Sequence, residues 1–139
     1  MGVVSNVVGA LENTLLGVTQ LKRVYRQAPA SVQTADLPCA VILQGAARVR
    51  QHAAGLIRQE RTFVIVLAVQ PIGQERWLAR TDAAIAVYEA VIQALLADLT
   101  LGGVVDHIAE ITDDGIGTVE IAGVQHVGYE LRVTVVTKD

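Results

Sequence analysis

The chain has 139 residues, 52% of them hydrophobic and 18% charged, with one cysteine and a formal net charge of −3. That length is read as a single domain over residues 1–139, large enough to bury a real core; the charge gives no overall drive toward nucleic acid, and one cysteine excludes an internal disulfide and a multi-cysteine zinc site. The charged share falls below the usual ~25% of a soluble domain, which implies either an unusually large core or apolar surface covered by a partner, and the partner is the expectation taken here.

The charges are unevenly placed. Residues 1–61 hold seven Lys/Arg (Lys22, Arg23, Arg26, Arg48, Arg50, Arg58, Arg61) and three acids (Glu12, Asp36, Glu60), a net of +4. Residues 62–139 hold four basic residues (Arg76, Arg80, Arg132, Lys138) and eleven acids, a net of −7. A plus half and a minus half on one small domain suit head-to-tail self-association, provided that folding does not interleave them.

In chain order, Val4, Val8, Leu11, Leu15 and Val18 recur at helical spacing between polar residues, predicting an amphipathic helix over roughly 3–18. No apolar run reaches membrane-spanning length. The N-terminus lacks the basic start of a signal peptide, and MGVVSN carries Asn6 where a myristoylation motif needs Ser or Thr, so a chain made in the cytoplasm, without membrane attachment, is expected. Leu21–Tyr25 reads as a short edge strand. Residues 26–38 have no periodicity and are either an arm reaching a neighbour or a surface loop. Cys39, after Pro38, opens the strand CAVILQ as a buried small hydrophobe.

Residues 46–59 read as a hairpin turning at Ala53-Ala54-Gly55. Arg61–Gln70 follows with Phe63, Ile65, Leu67 and Val69 on one face and Val64, Val66 and Ala68 on the other; both faces are apolar, as in a strand covered on two sides. Residues 75–99 predict a long helix. Leu78, Ile85, Ile92 and Leu99 repeat every seven residues, Tyr88 and Leu95 form a second row, and Gly102-Gly103 stop it. VVDHIAEIT is a strand and DDGIG a turn. The chain closes on a hairpin whose second strand sets Tyr129, Leu131, Val133 and Val135 against Glu130, Arg132 and Thr134. The fold class predicted is α+β, a largely antiparallel mixed sheet with two main helices on one face. Two helices cover one face only, so the apolar second face of Arg61–Gln70, including Val64 and Val66, is expected to meet another subunit.

No catalytic constellation, cofactor motif or metal-ligand set is recognised. Gly115-Ile116-Gly117 lacks the third glycine and helix of a phosphate loop, and Asp113-Asp114-Gly115 lacks the later ligands of a calcium loop. His107 and Glu110 would share a helix face but point apart in a strand. His52, His107 and His126 fall in separate segments, and Ser5 and Ser31 lie in no nucleophile elbow. The remaining charged feature is ARVRQHAAGLIRQER: Arg48, Arg50, Arg58 and Arg61 are either a solvated hairpin or a surface for an acidic partner, a neighbouring subunit or DNA phosphates. Without interleaved aromatics it does not read as a stacking platform for single strands.

The series of segments resembles the tail terminator (tail completion) proteins of long-tailed bacteriophages and related prophage or gene-transfer particles. It runs from an N-terminal helix through a Pro-containing loop into LPCAVI, then an arginine-bearing hairpin into RTFVIVLAV, TDAAIAVYEAVIQALL, and a closing VEIAGVQHVGYELRVTVV. The resemblance implies a virion structural protein, not an enzyme, that forms a ring, usually a hexamer. Such a ring caps the tail tube, ends its polymerisation and offers a head-attachment surface at the head-proximal end of the tail. Its implied partners are further copies of itself, the tail tube protein and a head-completion or neck protein. Genomic DNA passes through the lumen without sequence-specific binding, and no cofactor is involved. A basic hairpin lining that lumen would slow DNA, so Arg48, Arg50, Arg58 and Arg61, with Val64 and Val66, are placed at a subunit or head-side interface. Two rivals stand beside this reading: another head-tail connector subunit, and a small enzyme or ligand-binding domain built on His107, Glu110 and Arg61.

Overall fold

The strict alternation after Gly128 decides the architecture, because a strand with one apolar row must lie on a core. A computed structural model of the chain describes residues 2–53, 55–72 and 77–138. Its elements are α1 (Val3–Leu16), β1 (Arg23–Tyr25), β2 (Cys39–Ala53), β3 (Leu56–Pro71), α2 (Trp77–Leu96), β4 (His107–Asp113), β5 (Gly117–Ile121) and β6 (Val124–Lys138). The sheet runs β1-β2-β3-β6-β4, with β5 pairing β6 on the same side as β4. Only β1–β2 is parallel; every other pair is antiparallel. The protein is therefore α+β, with both helices on one face of a mixed, mostly antiparallel sheet.

On the helix-covered face, Tyr129, Leu131, Val133 and Val135 of β6 lie opposite Leu67, Ile65, Phe63 and Arg61 of β3. Val7, Leu11 and Leu15 of α1 and Ala84, Val87, Val91 and Leu95 of α2 close over these rows. Burying each Val or Leu side chain among them contributes about 1.5–3 kcal/mol before entropy is counted. The predicted start of α2 at residues 75–76 and its Leu78 side chain lie outside the described residues. Of the heptad row, Ile92 packs partly buried against the core. Ile85 and Leu99 are 36% and 45% exposed, while Ala84, Val87, Val91 and Leu95 are buried. The helix carries two apolar stripes, and the seven-residue repeat picks out the less covered one. It also ends at Leu96, before Gly102-Gly103, which sit at positive φ in the turns that follow.

Two predicted strands merge on each side of the hairpin. CAVILQ continues without a turn into AARVRQHA as one 15-residue strand. The register slips by one residue between Gln44 and Ala47, a bulge at Gly45-Ala46. Glycine belongs there because a Cβ on Gly45 would stand 2.8 Å from the Thr62 carbonyl oxygen.

The second face of the sheet is not bare. Leu37, Cys39, Val41, Val66, Ala68, Val119 and Ile121 form a separate buried cluster there, with Tyr25, Val32, Leu43 and Val64 partly buried around it. Residues 26–38, which include the 3-10 turn Thr34–Asp36, bring Val32 and Leu37 onto this face. The β5–β6 hairpin brings Val119 and Ile121, through a two-residue turn with Ala122 and Gly123 both at positive φ, the backbone that such hairpin turns require. The hairpin comes this close because Gly128 has no side chain; a Cβ there would run into the Leu67 carbonyl oxygen. The expectation that only another subunit can cover this face is thus corrected: a loop and a hairpin of the same chain cover its Val66 end, and Val66 is 7% exposed.

Candidate assembly interface

The four hairpin arginines divide between the faces. Odd-numbered β3 residues from Phe63 to Val69 face the helices, and unbroken pairing with β6 from Arg58 to Ala68 extends that alternation to the tip. Arg61 is therefore on the helix side, where its Nε donates to Gln59 Oε1 at 2.9 Å. Arg58 is on the second face, and directly paired residues share a face, so Arg48, opposite Glu60, and Arg50, opposite Arg58, join it there. Like charges opposite one another on a ribbon are mutually destabilising. Among the described residues no ion pair relieves Arg48, Arg50 or Arg58; the ion pairs present are Arg26 with Glu12, and Arg132 with Asp114 and Glu130.

The other side of the same ribbon is apolar. Val49 and Ile57 lie on the helix-side face, beyond the reach of the helices, at 56% and 37% exposure. From Ala46 to Gln51 every residue of β2 is exposed. β1 pairs only with Cys39–Val41, so among the described residues no strand pairs with the outer edge of β2 beyond that point.

The far edge has the opposite character. β4 is the last strand of the sheet, and its outer side meets a groove of about 320 Å³ lined by Tyr88, Ile92, Leu96 and Leu99 and by Ile108–Ile111 of β4. Leu96 is 56% exposed. Glu89 and Glu110 are exposed nearby. The Leu99 carbonyl accepts the Ile108 N–H at 2.8 Å, which caps the first part of the edge only. Tyr88 fixes α2 to this edge: its hydroxyl donates to Asp113 Oδ2 at 2.6 Å and its ring stacks on Tyr129 at 4.3 Å. The Asp113 carboxylate accepting that proton, with burial, pushes the Tyr88 hydroxyl up to about 12.

The sheet order keeps the two halves of the sequence side by side. β1, β2 and the tip of β3 carry the basic half, while β6, β4 and β5 carry the acidic half, and β3–β6 is the single seam between the two groups of strands. Within the sheet, the free part of β2 carries Arg48 and Arg50 and the β4 edge carries Glu110 and Asp113; outside the sheet the halves meet, with Arg26 and Asp98 lining one groove beside α1.

His107 and Glu110 depart from the sequence reading. A bulge between Ile108 and Glu110 inserts one residue, so His107 lies opposite Val136 and Glu110 opposite Thr134, on one face, the second. Arg61 is on the other face, so the sheet separates it from both. No group of three or more His, Cys, Asp or Glu capable of holding a metal occurs among the described residues, and none of the described helices is long and apolar enough to cross a membrane. Cys39 is fully buried, and burial pushes its thiol up to about 11. His126 is also buried, its Nδ1 without a hydrogen-bond partner; burial lowers its pKa, offset in part by a hydrogen bond with the Val124 backbone. Sequence reasoning did not single out the α2–β4 groove. Its signal was the end of the heptad row, Ile92 and Leu99, both of which line the groove.

Compared with known proteins, the chain matches no family model and no curated relative.

Proposed function

We propose that this chain is a structural subunit that assembles head to tail into a closed ring, in the manner of a tail terminator. The ring, a hexamer in the proteins the sequence resembles, ends growth of a tail tube and offers a surface to a head-completion protein. The observation that carries the reading is the segregation of charge and exposed apolar surface onto two opposite, unpaired edges of one sheet. Such an arrangement is self-complementary between copies but not within one copy, and heterologous contacts of this kind either close into rings or run on as filaments. In the ring, Arg48, Arg50 and Arg58 serve the subunit contact, and DNA passes the lumen without base contacts.

The test is to add the purified protein to tail-tube protein during polymerisation and to measure tube length by electron microscopy. Shortened tubes with a ring at one end are the expected result. An unchanged length distribution with bare tube ends would contradict it, and a ring found only on the head-side connector would assign the chain to the neck instead.

A further inference from the structure

The two unpaired edges match one another residue by residue. Resting on the self-assembly reading above, we infer that segment Ala47–Gln51 of one copy adds as an antiparallel strand to segment Ala109–Asp113 of the next, with Arg50 opposite Glu110, Val49 opposite Ile111 and Arg48 opposite Thr112. The occupant of the β4 edge is a second copy of this chain.

Four observations carry this. Both edges are unpaired over these segments among the described residues. Strand direction fits: three antiparallel pairings separate β2 from β4, so the two run antiparallel in one copy and meet antiparallel when a rotated copy is set beside the first. The faces fit. Arg48 and Arg50 lie on the second face, as do Glu110 and Thr112, while Val49 lies on the helix side, as does Ile111. The joined sheet then places Val49 at the mouth of the groove of Ile92, Leu96 and Leu99, which gains cover. Charge fits as well: the unrelieved Arg50–Arg58 pair gains a carboxylate at Glu110, and the acidic edge gains cations. Main-chain hydrogen bonds supply affinity in strand addition, and the alternating side chains supply register.

The experiment uses full-length Arg50→Cys/Glu110→Cys protein under mild oxidation, read on non-reducing gels beside native mass. The native cysteine does not interfere, because Cys39 is fully buried. A ladder extending beyond dimers, absent when either cysteine is introduced alone, is the expected result. In the second arm, Arg50→Glu and Glu110→Arg each weaken self-association at least tenfold, and combining them restores it to within about threefold of the parent. Oligomers by native mass with no ladder and no rescue by the charge swap would overturn this interface while leaving the ring reading standing. A protein monomeric under every condition, tube protein included, would overturn both.

Discussion

The two halves of the β2–β3 hairpin share the same strands and the same pairing, yet they live in different environments. The proximal half, Cys39–Gln44 against Phe63–Ala68, is covered on both faces, by α1 and α2 on one and by the 26–38 loop with the β5–β6 hairpin on the other. The distal half, Ala47–Gln51 against Ile57–Arg61, is more open: Ala47–Gln51 and Ile57 are exposed, with Arg48, Arg50, Arg58 and Glu60 on one face and Val49, Ile57 and Arg61 on the other. Backbone pairing alone does not determine where stability resides; the side chains and what lies over them do. Substitutions in the proximal half should unfold the protein, and those in the distal half should leave it folded and alter its association.

The largest effect is expected at the point where the second face closes. Gly128→Ala places a methyl group against the Leu67 carbonyl. It should cost more than about 3 kcal/mol, read as loss of soluble folded protein or a collapsed thermal midpoint. Next, Leu131→Ala empties a fully buried site between β6 and the helices and should cost about 2–5 kcal/mol in denaturant unfolding. Gly45→Ala sets a Cβ against the Thr62 carbonyl at the junction of the two halves. It should cost about 1–3 kcal/mol, with the bulge shifting to accommodate it.

His126 sharpens the contrast through pH. Its folded pKa is depressed by burial, so the unfolded chain binds a proton first as pH falls. Stability from this site is present above the unfolded value of about 6.5 and declines as pH drops below it toward the folded value. Thermal midpoints should fall between pH 7 and pH 5.5, and His126→Phe should flatten that part of the profile. An identical slope in the variant would remove His126 as the cause. The smallest effect on stability belongs to the distal half: Val49→Ser should change unfolding by less than about 0.5 kcal/mol while weakening self-association measured by sedimentation.

Much of the fold was legible in the sequence because period-two patterns leave little choice. Tyr129, Leu131, Val133 and Val135 had to share a buried face, and Phe63, Ile65, Leu67 and Val69 had to lie beside them. What misled was local. The bulge at Gly45 hid the continuity of β2, because a glycine between two apolar runs reads as a break. The bulge before Glu110 turned His107 and Glu110 to one face, and single-residue insertions have no signature in alternation. The second face was expected to need a partner because residues 26–38, with no periodicity, gave no sign that Leu37 would fold back onto Val66. Of the interface residues named from sequence, Arg48, Arg50 and Arg58 share one face of the distal half. Arg61 lies on the other face, and Val66 is covered within the chain. The exposed flank of α2 was visible as a heptad row, but a row of aliphatic residues is read as core until a second row is seen to bury more completely.

The most direct test of the central claim is the native mass of the purified protein, alone and with tail-tube protein, at low salt where edge charges act at full range. A closed ring of identical subunits in either condition is the predicted result. A strict monomer in both, at every concentration, would contradict head-to-tail assembly and leave the basic and acidic edges without the role assigned to them.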